Sequence, residues 1–185
     1  MEILGKTRPG QDPGVQNGNS GSNIAGIKEE AGIQPTQATA FALRTSEDFS
    51  IYCGDDTMVL QVLPQRGVGV VSGGSQVIGD WMKGQIEAYY AGDNVKASRI
   101  YFRMAPFFAS LNQNGRINPI PILRGAIERV SGIKIGSPRS PQVPATAAEL
   151  AVTNAILDGL ARDRELLGQP INVNVSQHVA HPGGE

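Results

Sequence analysis

The chain has 185 residues and a formal net charge of -1, so its sequence predicts no strong attraction to nucleic acid or to an acidic membrane surface. Hydrophobic residues make up 40% and charged residues 18%, which excludes a disordered polymer and is typical of one ordinary globular domain. The single cysteine, Cys53, excludes an internal disulfide and suits a reducing compartment.

The sequence shows no sign of export or of a membrane anchor. Its N-terminal residues lack the apolar core of a signal peptide. No stretch approaches the ~20 apolar residues of a membrane-spanning helix. We therefore expect a soluble, cytoplasmic protein.

Residues 1–22 are predicted to be a disordered or loop-like N-terminal segment. From residue 5 onward this segment has almost no large apolar side chains, and Gly, Asn, Ser, Gln and Pro dominate it. Such a composition cannot bury enough apolar surface to offset the entropy that ordering would cost.

Residues 23–92 alternate between strand-like and helix-like patterns, in the order β-α-β-α-β-α. The predicted strands cover residues 23–28, 49–54 and 67–72, and the predicted helices cover about 35–45, 58–63 and 75–91. The strands are short and apolar throughout rather than alternating, which favours a parallel sheet covered by helices. The predicted fold class is therefore α/β.

Residues 93–167 are predicted to be a helical region, and residues 168–185 a C-terminal tail. Helical patterns run from Asp93 to about Leu111, from Pro119 to Val130 and from Ala145 to about Leu166. Three prolines between residues 137 and 144 predict an extended spacer before the last helix.

The carboxyl ends of the predicted strands carry the residues that could form a site. These ends are Lys28, Gly54-Asp55-Asp56 and Ser72-Gly73-Gly74. In α/β units of this kind the functional residues lie at the carboxyl ends of the strands. We therefore expect the three ends to meet on one face and to form a pocket.

Lys28 follows a short apolar run and precedes two acids and a glycine-containing turn. A lysine at the mouth of a pocket is partly desolvated, and its neutral amine can attack a ketone or aldehyde to form a Schiff base. Strand-end lysines are also common as ion-pair partners, here of Glu29 or Glu30. The spacing alone leaves both interpretations open.

Two polar segments near the other strand ends have simpler interpretations. Asp55 and Asp56 favour helix capping over a shared metal, because adjacent residues on a strand point to opposite sides. The turn Ser72-Gly73-Gly74-Ser75 fits an anion contact at a helix N-terminus and a plain tight turn equally well.

The sequence predicts no metal ion. His178 and His181 have the spacing H-x-x-H, but they lie in the polar tail without a further cysteine or acidic cluster. Cys53 precedes a glycine at a strand end and is predicted to be a core residue rather than a nucleophile.

Four motifs occur in order along the chain, and together they resemble one family. They are Gly26-Ile27-Lys28-Glu29 followed by Gly32, Gly54-Asp55-Asp56, Gly69-Val70-Val71-Ser72, and Asn118-Pro119-Ile120-Pro121. Over about residues 23–165 the chain resembles the dihydrodipicolinate synthase and N-acetylneuraminate lyase family of class I aldolases. The last motif resembles the synthase branch more than the sialic-acid lyases.

The resemblance implies a fold and a set of site residues. The fold is a (β/α)8 barrel, of which residues 23–92 would hold the last three β/α units and residues 93–167 the C-terminal helical region. Lys28, at the end of the sixth strand, would form a Schiff base with pyruvate. Gly54 would lie beside the pocket at the end of the seventh strand, and Val71 in the eighth would present its backbone carbonyl to the keto acid.

The resemblance also implies a reaction and an assembly. The synthases of this family condense pyruvate with an aldehyde, aspartate semialdehyde, in lysine and diaminopimelate biosynthesis. Family members are commonly homotetramers, and we expect no cofactor. We therefore expect a keto acid and an aldehyde as partners, and a homo-oligomer.

The resemblance covers only part of a barrel, since a complete one needs ~250 residues. The family's threonine pair, its tyrosine and the nearby arginine have no counterparts in this sequence. We therefore expect a fragment or a truncated chain with weak activity of its own. The alternatives are a non-catalytic truncated paralogue that acts by assembly through an exposed strand edge, or another keto-acid aldolase of the same family.

Overall fold

The computed structural model of the chain describes residues 2–5, 23–30 and 36–168. Within them a four-stranded sheet has the strand order β1-β2-β3-β4. The strands are β1 (Glu2–Gly5), β2 (Ile24–Glu29), β3 (Ser50–Cys53) and β4 (Gly67–Val70). Strands β2, β3 and β4 run parallel, as their helical crossover connections require, and the predicted parallel sheet is confirmed.

Strand β1 differs from the loop-like segment predicted over residues 1–22. Residues 2–5 pair antiparallel with β2, so that the backbone groups along this edge of β2 find partners. Pairing along an edge needs only backbone groups, which explains why composition did not reveal it. Residues 6–22 lie outside the described ranges.

The helices of the described ranges follow the predicted order. They are α1 (Thr36–Arg44), α2 (Val59–Val62), α3 (Ser75–Tyr90), α4 (Asn94–Leu111), α5 (Ile120–Ser131) and α6 (Ala147–Arg162). Asp93 caps α4 by accepting a hydrogen bond from the Lys96 amide, and α5 ends at Gly132 in a left-handed conformation. None of these helices is both long and apolar enough to cross a lipid bilayer.

The two faces of the sheet have different surroundings. Ile27, Ile51 and Cys53 are buried in a small core together with Ala38 of α1 and Val62, the last residue of α2. Side chains alternate along a strand, so the residues between them lie on the opposite face. This second face is the one that a closed barrel would enclose.

The second face is partly open, which differs from the predicted sheet that is covered by helices. Burial alternates along β3 and β4, and the side chain of Val68 on β4 is 44% exposed. The sheet does not close into a barrel within the described residues. Among the described residues, helices cover the face of the sheet that carries Ile27 and Ile51. The opposite face stays partly accessible, although the strands also have apolar side chains there.

A larger core holds the helical layer together. Trp81 of α3, Met104 and Phe107 of α4, Ile122 of α5 and Leu160 of α6 are all buried in it. The predicted helical region is thus packed against α3, and Val70 of β4 packs against the same core. Most of the stability of these helices comes from packing their apolar faces together rather than from the helix propensity of their sequences.

An ion pair between half-buried Arg116 and buried Glu149 holds the loop between α4 and α5 against the start of α6. Nε of Arg116 lies 2.6 Å from Oε1 of Glu149, and the same guanidinium donates hydrogen bonds to the carbonyls of Val143 and Pro144. Glu149 is also the N3 residue of a capping box with Thr146. The Arg116 guanidinium holds the pKa of the Glu149 carboxyl well below its usual range.

Replacing Glu149 by Gln is expected to lower the free energy of unfolding strongly at pH 7, because the half-buried Arg116 guanidinium loses its carboxylate partner. The surface control is Glu87→Gln, which breaks the exposed pair with Lys83 and should cost about 0.5 kcal/mol or less. Urea unfolding of the three proteins measures the differences. Equal effects of the two substitutions would contradict the structural role of the pair.

The same comparison has an expected dependence on pH. The folded pKa of Glu149 is depressed, so its contribution is present above the ordinary carboxyl pKa of 4.5 and is lost as the pH falls toward the folded value. The difference in the free energy of unfolding between wild type and Glu149→Gln should stay constant from pH 7 to about 5 and become smaller below that.

Candidate active site

A pocket of about 440 Å³ lies where the three parallel strands end. One wall is polar and comes from the strand ends: Lys28, Glu30, Gly54, Asp55, Asp56, Thr57, Gly73 and Gly74. The opposite wall comes from α4, α5 and the loop between them: Phe108, Leu111, Asn112, Ile117, Pro119, Ile120 and Leu123. The predicted meeting of three strand ends on one face is confirmed.

Lys28 lines this pocket and supplies its amine. It lies on the sheet face opposite Ile27, and its side chain is 20% exposed. Nζ of Lys28 lies 2.7 Å from Oε2 of Glu30. The ion pair that the sequence allowed is therefore present, with Glu30 as its partner, and it lies inside a pocket. The Schiff-base role of Lys28 stays a prediction.

Gly54 makes room for the Lys28 side chain. Its amide donates a 2.7 Å hydrogen bond to the carbonyl of Glu29, which holds the backbone of the two strand ends together. A Cβ atom at position 54 would lie 2.7 Å from Cε of Lys28 and 2.5 Å from Cβ of Glu30. A side chain at this position would therefore force Lys28 or Glu30 to shift.

The sequence predicts that Asp55 and Asp56 cap α2, but neither residue does so in the structure. The residue at the N-cap of α2 is Met58, which makes no side-chain cap. Oδ1 of Asp55 instead accepts hydrogen bonds from the amide and hydroxyl of Thr57. The prediction was wrong because a local turn of the type that aspartate favours competes with capping.

Asp56 reaches across to the next strand end. Its Oδ2 accepts a 2.8 Å hydrogen bond from the amide of Gly74. Burial raises the pKa of the Asp56 carboxyl above its ordinary value, and the hydrogen bonds from Ser72 and Gly74 only partly offset this. The carboxylate thus ties the loop after β3 to the loop after β4.

The turn after β4 is a tight turn in this structure. The Ser75 amide donates to the Ser72 hydroxyl at 2.9 Å, and the Ser75 hydroxyl donates to the Ser72 carbonyl. The Gly74 amide, which an anion would need, is bound to Asp56. Of the two interpretations that the sequence left open, the structural turn is the one present.

Val71 and Cys53 are joined by a backbone hydrogen bond where β3 and β4 end. Val71 follows the last residue of β4, and its amide donates a 2.9 Å hydrogen bond to the Cys53 carbonyl. Val71 is not one of the described residues that line the pocket, whereas Lys28 and Gly54 are. Cys53 is buried, and burial raises the pKa of its thiol to about 11, which makes it a core residue and a poor nucleophile.

The motif Asn118-Pro119-Ile120-Pro121 forms part of the apolar wall. Oδ1 of Asn118 accepts a hydrogen bond from the Ile120 amide, and the turn so formed starts α5. Pro119 and Ile120 then line the pocket. The motif was visible in the sequence, but Phe108, Leu111 and Glu30 were not assigned to the site because helical periodicity and charge alone do not tell which face of the fold they share.

The predicted tail residues His178 and His181 and the motif residue Gly32 lie outside the described ranges. Within those ranges, no group of three or more His, Cys, Asp or Glu side chains is arranged to hold a metal ion.

Residues 15–159 match the dihydrodipicolinate synthetase family. The chain is 36% identical over 138 residues to the 4-hydroxy-tetrahydrodipicolinate synthase of Thermosynechococcus vestitus. The aligned region covers 75% of this chain and 45% of that protein. The identity to the corresponding synthase of Listeria innocua is 35% over 141 residues, or 76% of this chain and 46% of that protein. The chain therefore spans about half the length of the curated relatives it matches.

Solved structures give the same result. The dihydrodipicolinate synthase of Cyanidioschyzon merolae, solved with lysine bound, superposes with a TM-score of 0.66 at 32% identity. The match covers 75% of this chain and 45% of that one. The α/β architecture of the described residues is thus part of the architecture found in these enzymes.

Replacing Gly54 by Ala is expected to lower the free energy of unfolding by about 1–3 kcal/mol, because the added methyl group overlaps Lys28 and the backbone end of Glu30. The matched control is Gly79→Ala on α3, where the nearest atom is 3.8 Å away and alanine favours the helix. Chemical denaturation measures both. A Gly54→Ala protein as stable as wild type would contradict the close approach.

Proposed function

The chain belongs to the dihydrodipicolinate synthetase family, and from this premise we propose that its pocket forms a Schiff base with pyruvate as a class I aldolase of the synthase type. The observation that carries the proposal is the position of Lys28. Its amine lies at the carboxyl end of a parallel strand, inside a pocket, with Gly54 beneath its side chain.

The chemistry follows from the amine and the pocket. The neutral amine of Lys28 attacks the keto carbon of pyruvate, and loss of water gives an imine. Loss of a proton from the methyl carbon of the protonated imine gives an enamine, which attacks an aldehyde. The apolar wall around Phe108 and Leu123 lies opposite the polar wall that holds the amine and would shield one side of this intermediate from water.

Two further residues have roles in this proposal. Gly54 leaves space for the keto acid and the lysine, and Val71 presents its backbone carbonyl to the keto acid from the neighbouring strand end. We take aspartate semialdehyde as the acceptor, in lysine and diaminopimelate biosynthesis. Support comes from the synthases that the chain resembles and from the position of all three strand ends at one edge.

Incubation with pyruvate followed by borohydride reduction is expected to add the mass of one reduced pyruvate to the chain, because borohydride fixes the imine as a stable amine. The substitution Lys28→Ala should abolish this adduct. Lys83→Ala on the surface of α3 is the control and should leave it unchanged. Intact mass and peptide mapping measure the result, and an adduct that survives in Lys28→Ala would end the proposal.

The rate of the full condensation is a separate measurement. The family's tyrosine-centred proton relay has no counterpart in this sequence, so we expect this chain alone to condense pyruvate with aspartate semialdehyde slowly. If a coupled assay measures condensation as fast as in complete family members, other residues must replace the relay.

A second candidate function is assembly without catalysis. It is favoured by the exposed apolar side chains of Val68 and Val71 on and after β4, which is an edge strand among the described residues. Exposed strand edges pair with other chains. A homo-oligomer or a complex with a longer relative would cover this edge and the open face of the sheet.

Light scattering after size exclusion is expected to show a discrete oligomer that Val68→Lys dissociates, because a charged lysine on an edge strand opposes pairing. Val152→Lys on α6 is the matched control, since Val152 is 50% exposed and lies away from the sheet edge. A monomeric wild-type chain, or an oligomer that Val68→Lys leaves intact, would contradict assembly through β4.

A further inference from the structure

The carboxylate of Glu30 is in direct contact with the amine of the candidate site. Oε2 of Glu30 lies 2.7 Å from Nζ of Lys28, which is hydrogen-bonding distance, and both side chains line the pocket. The Glu30 side chain is 51% exposed, so it can exchange protons with water. The reaction proposed above gives this carboxylate no role, although it touches the reacting nitrogen.

Alternation along the strand end separates Glu30 from Glu29. Glu29 is 4% exposed and lies on the face of Ile27 and Cys53, away from the amine. Glu30 lies on the face of Lys28. Of the two consecutive acids, Glu29 therefore lies in the core and Glu30 in the pocket.

The other carboxylates of the pocket are held by structural hydrogen bonds. Asp55 accepts from Thr57, and Asp56 accepts from Gly74 in the neighbouring loop. Both bonds fix the loops that form the polar wall. Glu30, by contrast, has the lysine amine itself as its ion-pair partner.

Schiff-base formation needs a proton carrier at this position. A lysine paired with a carboxylate is an ammonium ion, and it must lose a proton before the nitrogen can attack a carbonyl carbon. Later the hydroxyl of the carbinolamine must gain a proton before it can leave as water. A single acid-base group beside the nitrogen can take the first proton and return it for the second step.

We propose that Glu30 is a catalytic acid-base residue that carries this proton between Lys28 and the carbinolamine oxygen; the inference rests on the proposed function. Glu30 takes a proton from the ammonium, and the neutral amine forms the N–C bond while the carbonyl π bond breaks. The second nitrogen proton moves to the resulting alkoxide. Glu30 then protonates the hydroxyl, the C–O bond breaks and water leaves.

The protons balance over these steps. The ammonium begins with three hydrogens, the iminium keeps one, and two leave in the water molecule. Glu30 ends as a carboxylate, paired with the iminium cation that has replaced the ammonium. No oxidant, metal or second substrate is required.

The test is the rate of borohydride-trapped adduct formation with pyruvate in wild type, Glu30→Gln and Glu30→Ala. The amide of Glu30→Gln keeps a polar contact with Nζ but cannot take up a proton and return it, so the rate should fall about 100-fold or more. Formate added to Glu30→Ala should raise the rate in proportion to its concentration, because it restores a carboxylate in the vacated space. Glu87→Gln on α3 is the surface control, with an unchanged rate.

The sign of the effect separates this role from a purely electrostatic one. If Glu30 only held the lysine as an ammonium ion, its removal would free the neutral amine and speed adduct formation. A Glu30→Gln rate equal to or above wild type therefore overturns the inference, and so does a Glu30→Ala rate that formate does not raise. Thermal unfolding verifies that each variant retains its fold.

Acetaldehyde as a second probe separates this inference from the proposed function. It needs the same proton carrier at Lys28 but no recognition of a keto acid. A chain that forms no pyruvate adduct, yet forms an acetaldehyde adduct at Lys28 that Glu30→Gln slows, refutes the pyruvate function and supports Glu30. An acetaldehyde adduct at Lys28 whose rate Glu30→Gln leaves unchanged, or the absence of that adduct, overturns the role of Glu30.

Discussion

The alternation of side chains along β2 is the constraint on which the site depends. Ile27 and Glu29 point to the core between the sheet and the first helices, so Lys28 and Glu30 must lie on the other face. A shift of pairing by one residue would exchange these sets and bury the amine. The apolar side chains of the strand thus decide, by their own burial, which polar ones reach the pocket.

The polar wall is held together by contacts between successive strand ends. The Gly54 amide binds the Glu29 carbonyl, the Val71 amide binds the Cys53 carbonyl, and Asp56 binds the Gly74 amide. These bonds join three segments that are far apart in sequence. Because parallel strands end at one edge, each new β/α unit adds its own loop to the same site.

The helical layer supplies what the sheet lacks. Its apolar side chains face the carboxylates and the amine across the pocket, and Arg116 and Glu149 fix the loop that carries Ile117 and leads to Pro119. Two hydrogen bonds join the Arg116 guanidinium to the two carboxylate oxygens of Glu149 and hold this loop against α6. The stability of the helical region and the shape of the pocket are consequently linked through one loop.

The sequence alone predicts the order of the elements after residue 22, the parallel pairing of β2, β3 and β4, and the position of Lys28 and Gly54 at strand ends, because apolar periodicity and strand-end motifs are local signals. It did not predict β1, which pairs through backbone groups only. Local signals did not reveal that Glu30 rather than Glu29 meets the amine, that Asp56 binds Gly74 instead of capping α2, or that Phe108 and Leu111 line the pocket. Those contacts join residues from different elements. Only the packing of the sheet against the helices decides which face each element turns to the others.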